Sequence, residues 1–405
     1  MDSERLFIVM MGLPARGKST LANKLKENLV RDSIKTRIFN NGDLRRRLIK
    51  RDTSYPEFYD PDNYEAATFR EKIALININR AKKFLEHRGD VAILDATHVS
   101  RKRRQRVTGL LKDHPILFIE CVNMDPMILE ASIERKTTLP EFTHLSKAEA
   151  RKSFKERIRY YERIYSPLGK ETNYVRLDTL NNRIEEEEIK GSIPFYDRLR
   201  DFLVTDSVKN LFLIRHGETY FNLENRIGGD SSLTETGVAQ ARALSRAFSS
   251  RKIPFIFTSE KKRTIQTAEP IKALQSKCSI IGLKEFNEID SGVCECMSYE
   301  EINLKMPEIY HARKVDKYNY IYPQGEGYIS MKKRVYLGIK KALYLSGNAS
   351  NIMIIGHRAV NRMILSHFLY KRQEDVPYIY VPQDKFYHVV ATQDKKLFQL
   401  KAYDI

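Results

Sequence analysis

Apolar runs of single-strand length recur through the first half of the chain between segments of helical period: LFIVMMG at 6–12, TRIFN at 36–40, VAILD at 91–95 and ILFIECV at 116–122. Runs without polar alternation belong to strands covered on both faces, so this half predicts an α/β fold with a parallel sheet. The acidic run Glu185–Glu188 precedes a Gly-Ser-Ile-Pro breaker at 191–194 and a helix over FYDRLRDFL. A second series of buried strands then opens with NLFLIRHG at 210–217 and continues with FIFTS at 255–259 and NIMIIGH at 351–357. The interruption puts a boundary near residue 205, giving domains 1–205 and 206–405.

Length and composition agree with two globular domains: 405 residues, 42% hydrophobic and 30% charged, which excludes disorder and fibre. No apolar run reaches the ~18 to 20 residues that span a bilayer. The N-terminus enters a strand at once, so no signal peptide is expected, both ends stop close to strands without long tails, and the protein is placed in the cytoplasm. Cys121, Cys278, Cys294 and Cys296 are too few and too scattered for a disulfide framework or a zinc site. Free thiols and no structural metal are expected. Lys and Arg exceed Asp and Glu by 70 − 52 = 18, which calls for an anionic partner, either nucleic acid or a phosphorylated small molecule. The basic runs Arg45–Arg47 and Arg101–Arg104 suit a nucleic-acid backbone or a solvated helix face equally well.

Two motifs narrow the choice. Gly12, Leu13, Pro14, Ala15, Arg16, Gly17, Lys18 and Ser19 fit G-x-x-x-x-G-K-[ST] between a buried strand and a helix-like segment. Such a loop turns backbone N–H groups onto nucleotide phosphates, with Lys18 reaching the β and γ phosphates and the Ser19 hydroxyl available to Mg²⁺. Asp95 closes the strand VAILD and is the second expected magnesium ligand. In the other half Arg215-His216 follows LFLI, His357 ends IMIIG, and Arg263 lies just after a third strand. Two His and two Arg at one sheet edge would surround a phosphoryl group and keep His216 neutral and nucleophilic, while Glu288 in FNEIDSG is the candidate acid for the leaving alcohol.

GLPARGKS, DAT-x-x-x-R-x-R, RHGE, RIGGDS, KRTIQTAE, NEIDSGVCE, YEEI, DKY and YPxGExY stand in order along the whole chain. In this combination the chain resembles the bifunctional 6-phosphofructo-2-kinase/fructose-2,6-bisphosphatase family. The resemblance implies an adenylate-kinase-like P-loop kinase domain followed by a phosphoglycerate-mutase-like histidine phosphatase domain. It implies ATP on Gly12 to Thr20 with Lys136 at the nucleotide phosphates, and fructose 6-phosphate on Arg45, Arg70, Thr97, Arg103, Arg157 and Tyr161. In the phosphatase it implies Asn222 beside His216, Gly228 in the closing loop, and Tyr299, Arg313, Lys317, Tyr328 and Arg362 on the sugar and its 6-phosphate. The kinase would use Mg²⁺ with ATP; the phosphatase would use no cofactor. The partners expected are ATP, fructose 6-phosphate and fructose 2,6-bisphosphate, with a homodimer compatible, no membrane, and nucleic acid not favoured.

Departures from the family pattern are His98 where Asn is usual, Asn41, Leu44 and Asn123 in the kinase half, Ile321 for an Arg, and Arg358 for the Gln after the second His. They leave open a protein in which only the phosphatase is active. A polynucleotide kinase-phosphatase is the other alternative, although no DxDxT motif or aromatic-interleaved basic strand supports it.

Overall fold

A computed structural model describes residues 4–49, 52–369 and 371–404. The chain divides into two units, Met1–Thr205 and Asp206–Ile405. The first is built on β1 (Leu6–Met11), β2 (Thr36–Asn40), β3 (Val91–Asp95), β4 (Ile116–Val122), β5 (Tyr174–Asp178) and β6 (Arg183–Glu188), in the order β2-β3-β1-β4-β5-β6. All neighbours are parallel except β5 and β6. The apolar runs become strands because both faces are covered. Leu6, Ile8 and Met10 pack with Leu25, Leu29, Leu199 and Leu203, while Phe7, Val9 and Met11 pack with Ile78, Leu85 and Val107. Each such side chain removed from water contributes roughly 1.5 to 3 kcal/mol.

The acidic run lies within β6, a strand that its charge had hidden. It is the antiparallel edge, and its carboxylates are answered by side chains: Glu186 accepts from Tyr174 at 2.5 Å and Glu187 from Tyr196 at 2.6 Å and Arg200 at 2.9 Å. Charge along an edge also discourages pairing with another sheet.

The second unit contains β7 (Val208–Arg215), β8 (Phe255–Thr258), β9 (Ser279–Gly282), β10 (Ile352–Gly356), β11 (Lys385–Ala391) and β12 (Lys396–Ala402), in the order β12-β11-β7-β10-β8-β9. Four strands are parallel; β11 and β12 are antiparallel. Phe212 and Ile214 pack on Leu244, Phe248, Ala268 and Ile271. Among the described residues no helix is long and apolar enough to cross a membrane.

The run Arg101–Arg104 is neither a solvated face nor a free basic stripe throughout. Arg104 is 1% exposed and spends its donors on Glu171 (2.6 Å) and on the carbonyls of His98, Val99, Ser166 and Pro167 at 3.0 to 3.2 Å. It ties the turn after β3 to the segment preceding β5. Arg104→Met is expected to cost about 3 to 5 kcal/mol by stranding Glu171 and several carbonyls. Thermal unfolding should show the first unit melting earlier, with the second unit's transition unmoved.

Candidate functional site

Register in the second sheet explains how the two histidines meet. Arg215 pairs with Gly356 and Ile355 with Thr258, so the residues that follow β7, β10 and β8 emerge side by side. These are His216, His357 and Ser259, at the carboxyl ends of parallel strands where α/β sheets place ligands. The imidazole centres of His216 and His357 are 5.2 Å apart. Gly217 has room for no side chain, since a Cβ there would lie 2.6 Å from the Gly237 carbonyl oxygen.

His216 Nδ1 lies 2.7 Å from the Gly217 carbonyl oxygen. A carbonyl only accepts, so Nδ1 carries the proton and Nε2 keeps the lone pair. Arg263 donates from Nε to Nδ1 of His357 at 3.2 Å, and His357 Nε2 meets Ser259 Oγ at 2.8 Å. That ring is therefore also neutral, with its proton on Nε2. Burial, reinforced by Arg263 and Arg215, pushes His216 well below the usual histidine range, and burial followed by Arg263 and His216 does the same to His357. Of the two unprotonated nitrogens, His357 Nδ1 is taken by Arg263, and no hydrogen bond among the described residues engages His216 Nε2.

Arg215 is drawn down to about 9 by burial, with Arg358 adding to the effect and Glu288 opposing it. Its Nε is buried without a hydrogen-bond partner among the described residues. An unsatisfied buried donor costs ~1 to 3 kcal/mol, which a phosphoryl oxygen would relieve. Glu288 supports the charges of Arg215 and Arg263 and accepts from the backbone N–H of Ile289 at 3.0 Å and of Ala359 at 3.5 Å. Farther out, Arg362 donates to the Tyr328 hydroxyl at 3.0 Å and Arg313 to the Tyr299 hydroxyl at 3.1 Å. Lys317 is lowered to about 8 by burial and by Arg313, Arg362 and Arg358. This second group of cations suits a second anionic group.

Gly228 adopts a left-handed φ of 70°, and the N–H of Gly229 donates to Glu295 at 2.7 Å. Arg263 in turn donates to the Gly229 carbonyl at 2.9 Å. Ser259 and Glu295 did not figure among the candidate residues. Ser259 could have been found from the strand ends alone; Glu295 depends on contacts between distant segments.

In the first unit the glycine-bearing loop lies between β1 and the helix Lys18–Arg31. Gly12 has φ 135°, and a Cβ on it would fall 2.4 Å from the Cys121 carbonyl oxygen, so only glycine fits. Ala15 and Gly17 also take left-handed φ values of 63° and 85°. Lys18 donates to the Leu13 carbonyl at 2.6 Å and is lowered to about 8 by burial, against the pull of Cys121 and Asp95. Asp95 stands across the sheet from Asn40 in register, and its carboxylate accepts from the Asn40 amide. Lys136 is near enough to both Lys18 and Asp95 to influence Lys18 and to be influenced by Asp95. The Thr97 carbonyl accepts from Gly12 N–H at 2.9 Å.

Of the sugar-phosphate candidates, Arg45, Arg70, Arg103, Arg157 and Tyr161 form one cluster, while Thr97 is placed beside the glycine-rich loop. Arg157 lies 3.8 Å over the Tyr59 ring and Arg45 5.4 Å from it. Tyr161 influences Arg45, Arg70 and Arg103 together. Burial, then Arg157 and Arg46, lowers Arg45 to about 9. Buried Glu141, absent from the sequence reading, pairs with Arg45 and lies 3.7 Å from Arg157. Arg70 caps the Phe58 carbonyl and Arg103 pairs with Glu71. Of the departures, His98 donates from Nδ1 to the Met10 carbonyl at 2.8 Å, Asn41 accepts from Asn77 at 2.8 Å, and Asn123 accepts from the Asp125 N–H at 2.9 Å. His98 and Asn41 are thus absorbed by a neighbour, whereas the Asn123 Nδ2 is buried without a hydrogen-bond partner among the described residues.

The family model for 6-phosphofructo-2-kinase matches residues 1–208, and that for the histidine phosphatase superfamily (branch 1) matches residues 211–404. The chain is 35% identical over 366 residues to 6-phosphofructo-2-kinase/fructose-2,6-bisphosphatase 3 of Rattus norvegicus, covering 87% of this chain and 64% of that protein. To its Homo sapiens counterpart it is 36% identical over 366 residues, covering 87% of this chain and 68% of the other. Among solved structures, the α-ribazole phosphatase from Shigella flexneri shares 24% identity with a TM-score of 0.44, covering 47% of this chain and 95% of that one. With both family models matched in order and a glycine-turned loop in one half and a paired-histidine edge in the other, the chain belongs to the bifunctional 6-phosphofructo-2-kinase/fructose-2,6-bisphosphatase family.

Proposed function

We propose that unit 1–205 transfers the γ-phosphoryl group of ATP to O2 of fructose 6-phosphate, and that unit 206–405 hydrolyses fructose 2,6-bisphosphate to fructose 6-phosphate and phosphate. The observation that supports this reading is that each unit gathers its own cationic cluster, Lys18 with Lys136 beside the glycine-turned loop and Arg215 with Arg263 beside the paired histidines. Gly12 to Thr20, with Lys18 and Lys136, bind the nucleotide phosphates, and Arg45, Arg70, Thr97, Arg103, Arg157 and Tyr161 bind the sugar phosphate. Ser19 and Asp95 are hard oxygen donors of the kind Mg²⁺ takes, and among the described residues only Asn40 bonds to the Asp95 side chain. The ion, bound with ATP, would neutralise phosphate charge.

In the phosphatase, His216 Nε2 attacks the 2-phosphoryl group and the bond to O2 breaks. Arg215 and Arg263 hold the phosphoryl oxygens, His357 fixes the Arg263 guanidinium through Nδ1, and Glu288 gives its proton to O2. Water then attacks the phosphohistidine, with Glu288 now taking a proton from it. The arginines supply the positive charge this step requires. Asn222 and Gly228 line the 2-phosphate end, and Tyr299, Arg313, Lys317, Tyr328, Arg358 and Arg362 the sugar and 6-phosphate end.

The test is a three-substrate panel: fructose 6-phosphate with MgATP, fructose 2,6-bisphosphate, and a 5′-hydroxyl oligonucleotide with MgATP. Turnover of both sugar phosphates and not the oligonucleotide is expected; hydrolysis without kinase turnover would reduce the reading to a phosphatase alone. Arg358 is exposed but close enough to affect Arg215, His216 and Lys317. Arg358→Gln should raise KM for the bisphosphate about tenfold, the low end for a charge-assisted contact because water competes at this position. An unchanged KM would leave Arg358 without a substrate role.

A further inference from the structure

Register places one more side chain at the phosphatase centre. β11 runs antiparallel to β7 with Phe386 opposite Ile214, so the residues preceding β11 run past those that follow β7. Three residues before Phe386, Gln383 reaches both the nucleophile's backbone and its neighbour. Its Nε2 donates to the His216 carbonyl at 3.2 Å and to Asn222 Oδ1 at 2.9 Å. The Tyr403 hydroxyl donates to the Gln383 carbonyl, fixing the segment from the other side.

Asn222 Oδ1 also accepts from the Thr219 N–H at 3.1 Å. Two donors on one oxygen decide which way the amide is turned: oxygen toward Gln383 and Thr219, nitrogen away from both. No hydrogen bond among the described residues engages Asn222 Nδ2. Without Gln383 only the Thr219 contact would remain, one of the two donors that fix the orientation.

We propose that Gln383 is a positioning residue for phosphoryl transfer, holding the Asn222 amide so that its NH₂ donates to the phosphoryl oxygens. This rests on the phosphatase reading above. The donor it orients matters most when charge builds on those oxygens, so its loss acts on kcat more than on KM.

The experiment is a double-mutant cycle on fructose 2,6-bisphosphate hydrolysis in the full chain. Gln383→Leu is expected to lower kcat about tenfold with KM within about twofold, the value of one oriented hydrogen bond. In the Asn222→Ala background the same change should alter kcat by less than about twofold, because the group it orients is gone. Gln383→Glu keeps the shape but offers only acceptors to two acceptors, so it should lose at least as much as Gln383→Leu; it also serves if the Leu variant misfolds. Effects that multiply in the double variant, or a Gln383→Glu enzyme with full kcat, would overturn the inference. Failure of the unaltered chain to hydrolyse the bisphosphate would overturn the phosphatase reading itself, and is seen before any variant is compared.

Discussion

Fructose 2,6-bisphosphate labelled in its 2-phosphate is expected to leave label on His216 as an acid-labile, base-stable adduct, and His216→Ala to abolish both adduct and turnover. The ring is already in the reactive tautomer, since Nδ1–H is committed to the Gly217 carbonyl and Nε2 is free to attack. Removing a nucleophile should lower the rate more than about a thousandfold. The acid dependence carries a second expectation. A histidine titrating near 6.5 would be about three-quarters protonated at pH 6 and correspondingly slow. Burial, Arg263 and Arg215 hold His216 well below that value, so single-turnover adduct formation should lose nothing to His216 protonation between pH 7 and pH 6. Glu288→Gln should slow adduct formation far more than it raises KM, because the proton reaches O2 only as the bond breaks. Label on any other residue, or a normal rate from His216→Ala, would sink the mechanism.

Why these groups meet was partly legible in the sequence, and the boundary between legible and hidden has a physical cause. Strands β1, β3, β4, β7 and β10 read directly because burial on both faces leaves uninterrupted apolar runs. His216 and His357 stood out because each directly follows such a run, and parallel neighbours end at one edge. β6 stayed hidden behind its four consecutive glutamates, which serve an exposed edge rather than a core. β11 and β12 were hidden too, since Tyr387, His388 and Gln399 break their apolar runs. Missing β11 meant missing Gln383, whose position is set by pairing across more than 160 residues. Glu141 was out of reach for a related reason. It is a carboxylate among arginines collected from two other helices, and nothing local in Pro140–Phe142 announces that role. The basic run at 101–104 suited a nucleic-acid backbone and a solvated helix face equally, and neither covers Arg104, which serves carbonyls and Glu171 in the interior.

Lys18→Met should abolish ATP-dependent phosphorylation of fructose 6-phosphate, by more than about a thousandfold, since positioning and charge neutralisation are nearly all that phosphoryl transfer asks of the protein. Bisphosphate hydrolysis should stay within a few-fold, because every residue proposed for it comes from the other unit. The unaltered lysine offers a finer test through proton linkage. Burial lowers it to about 8 in the free protein. Nucleotide phosphates beside the ammonium favour its charged form and raise that value in the complex. Below about pH 8 the lysine is charged in both states and ATP affinity should not depend on its titration. Above about pH 8 binding must first protonate it, so Kd for ATP should rise about tenfold per pH unit until the raised value of the complex is reached. Calorimetry at pH 9 in buffers of different ionisation enthalpy should register uptake of close to one proton per ATP bound, and Lys18→Met should lose that uptake. Proton uptake that persists in Lys18→Met would assign it to another group, with Lys136 the next candidate because it too is lowered by burial beside Asp95.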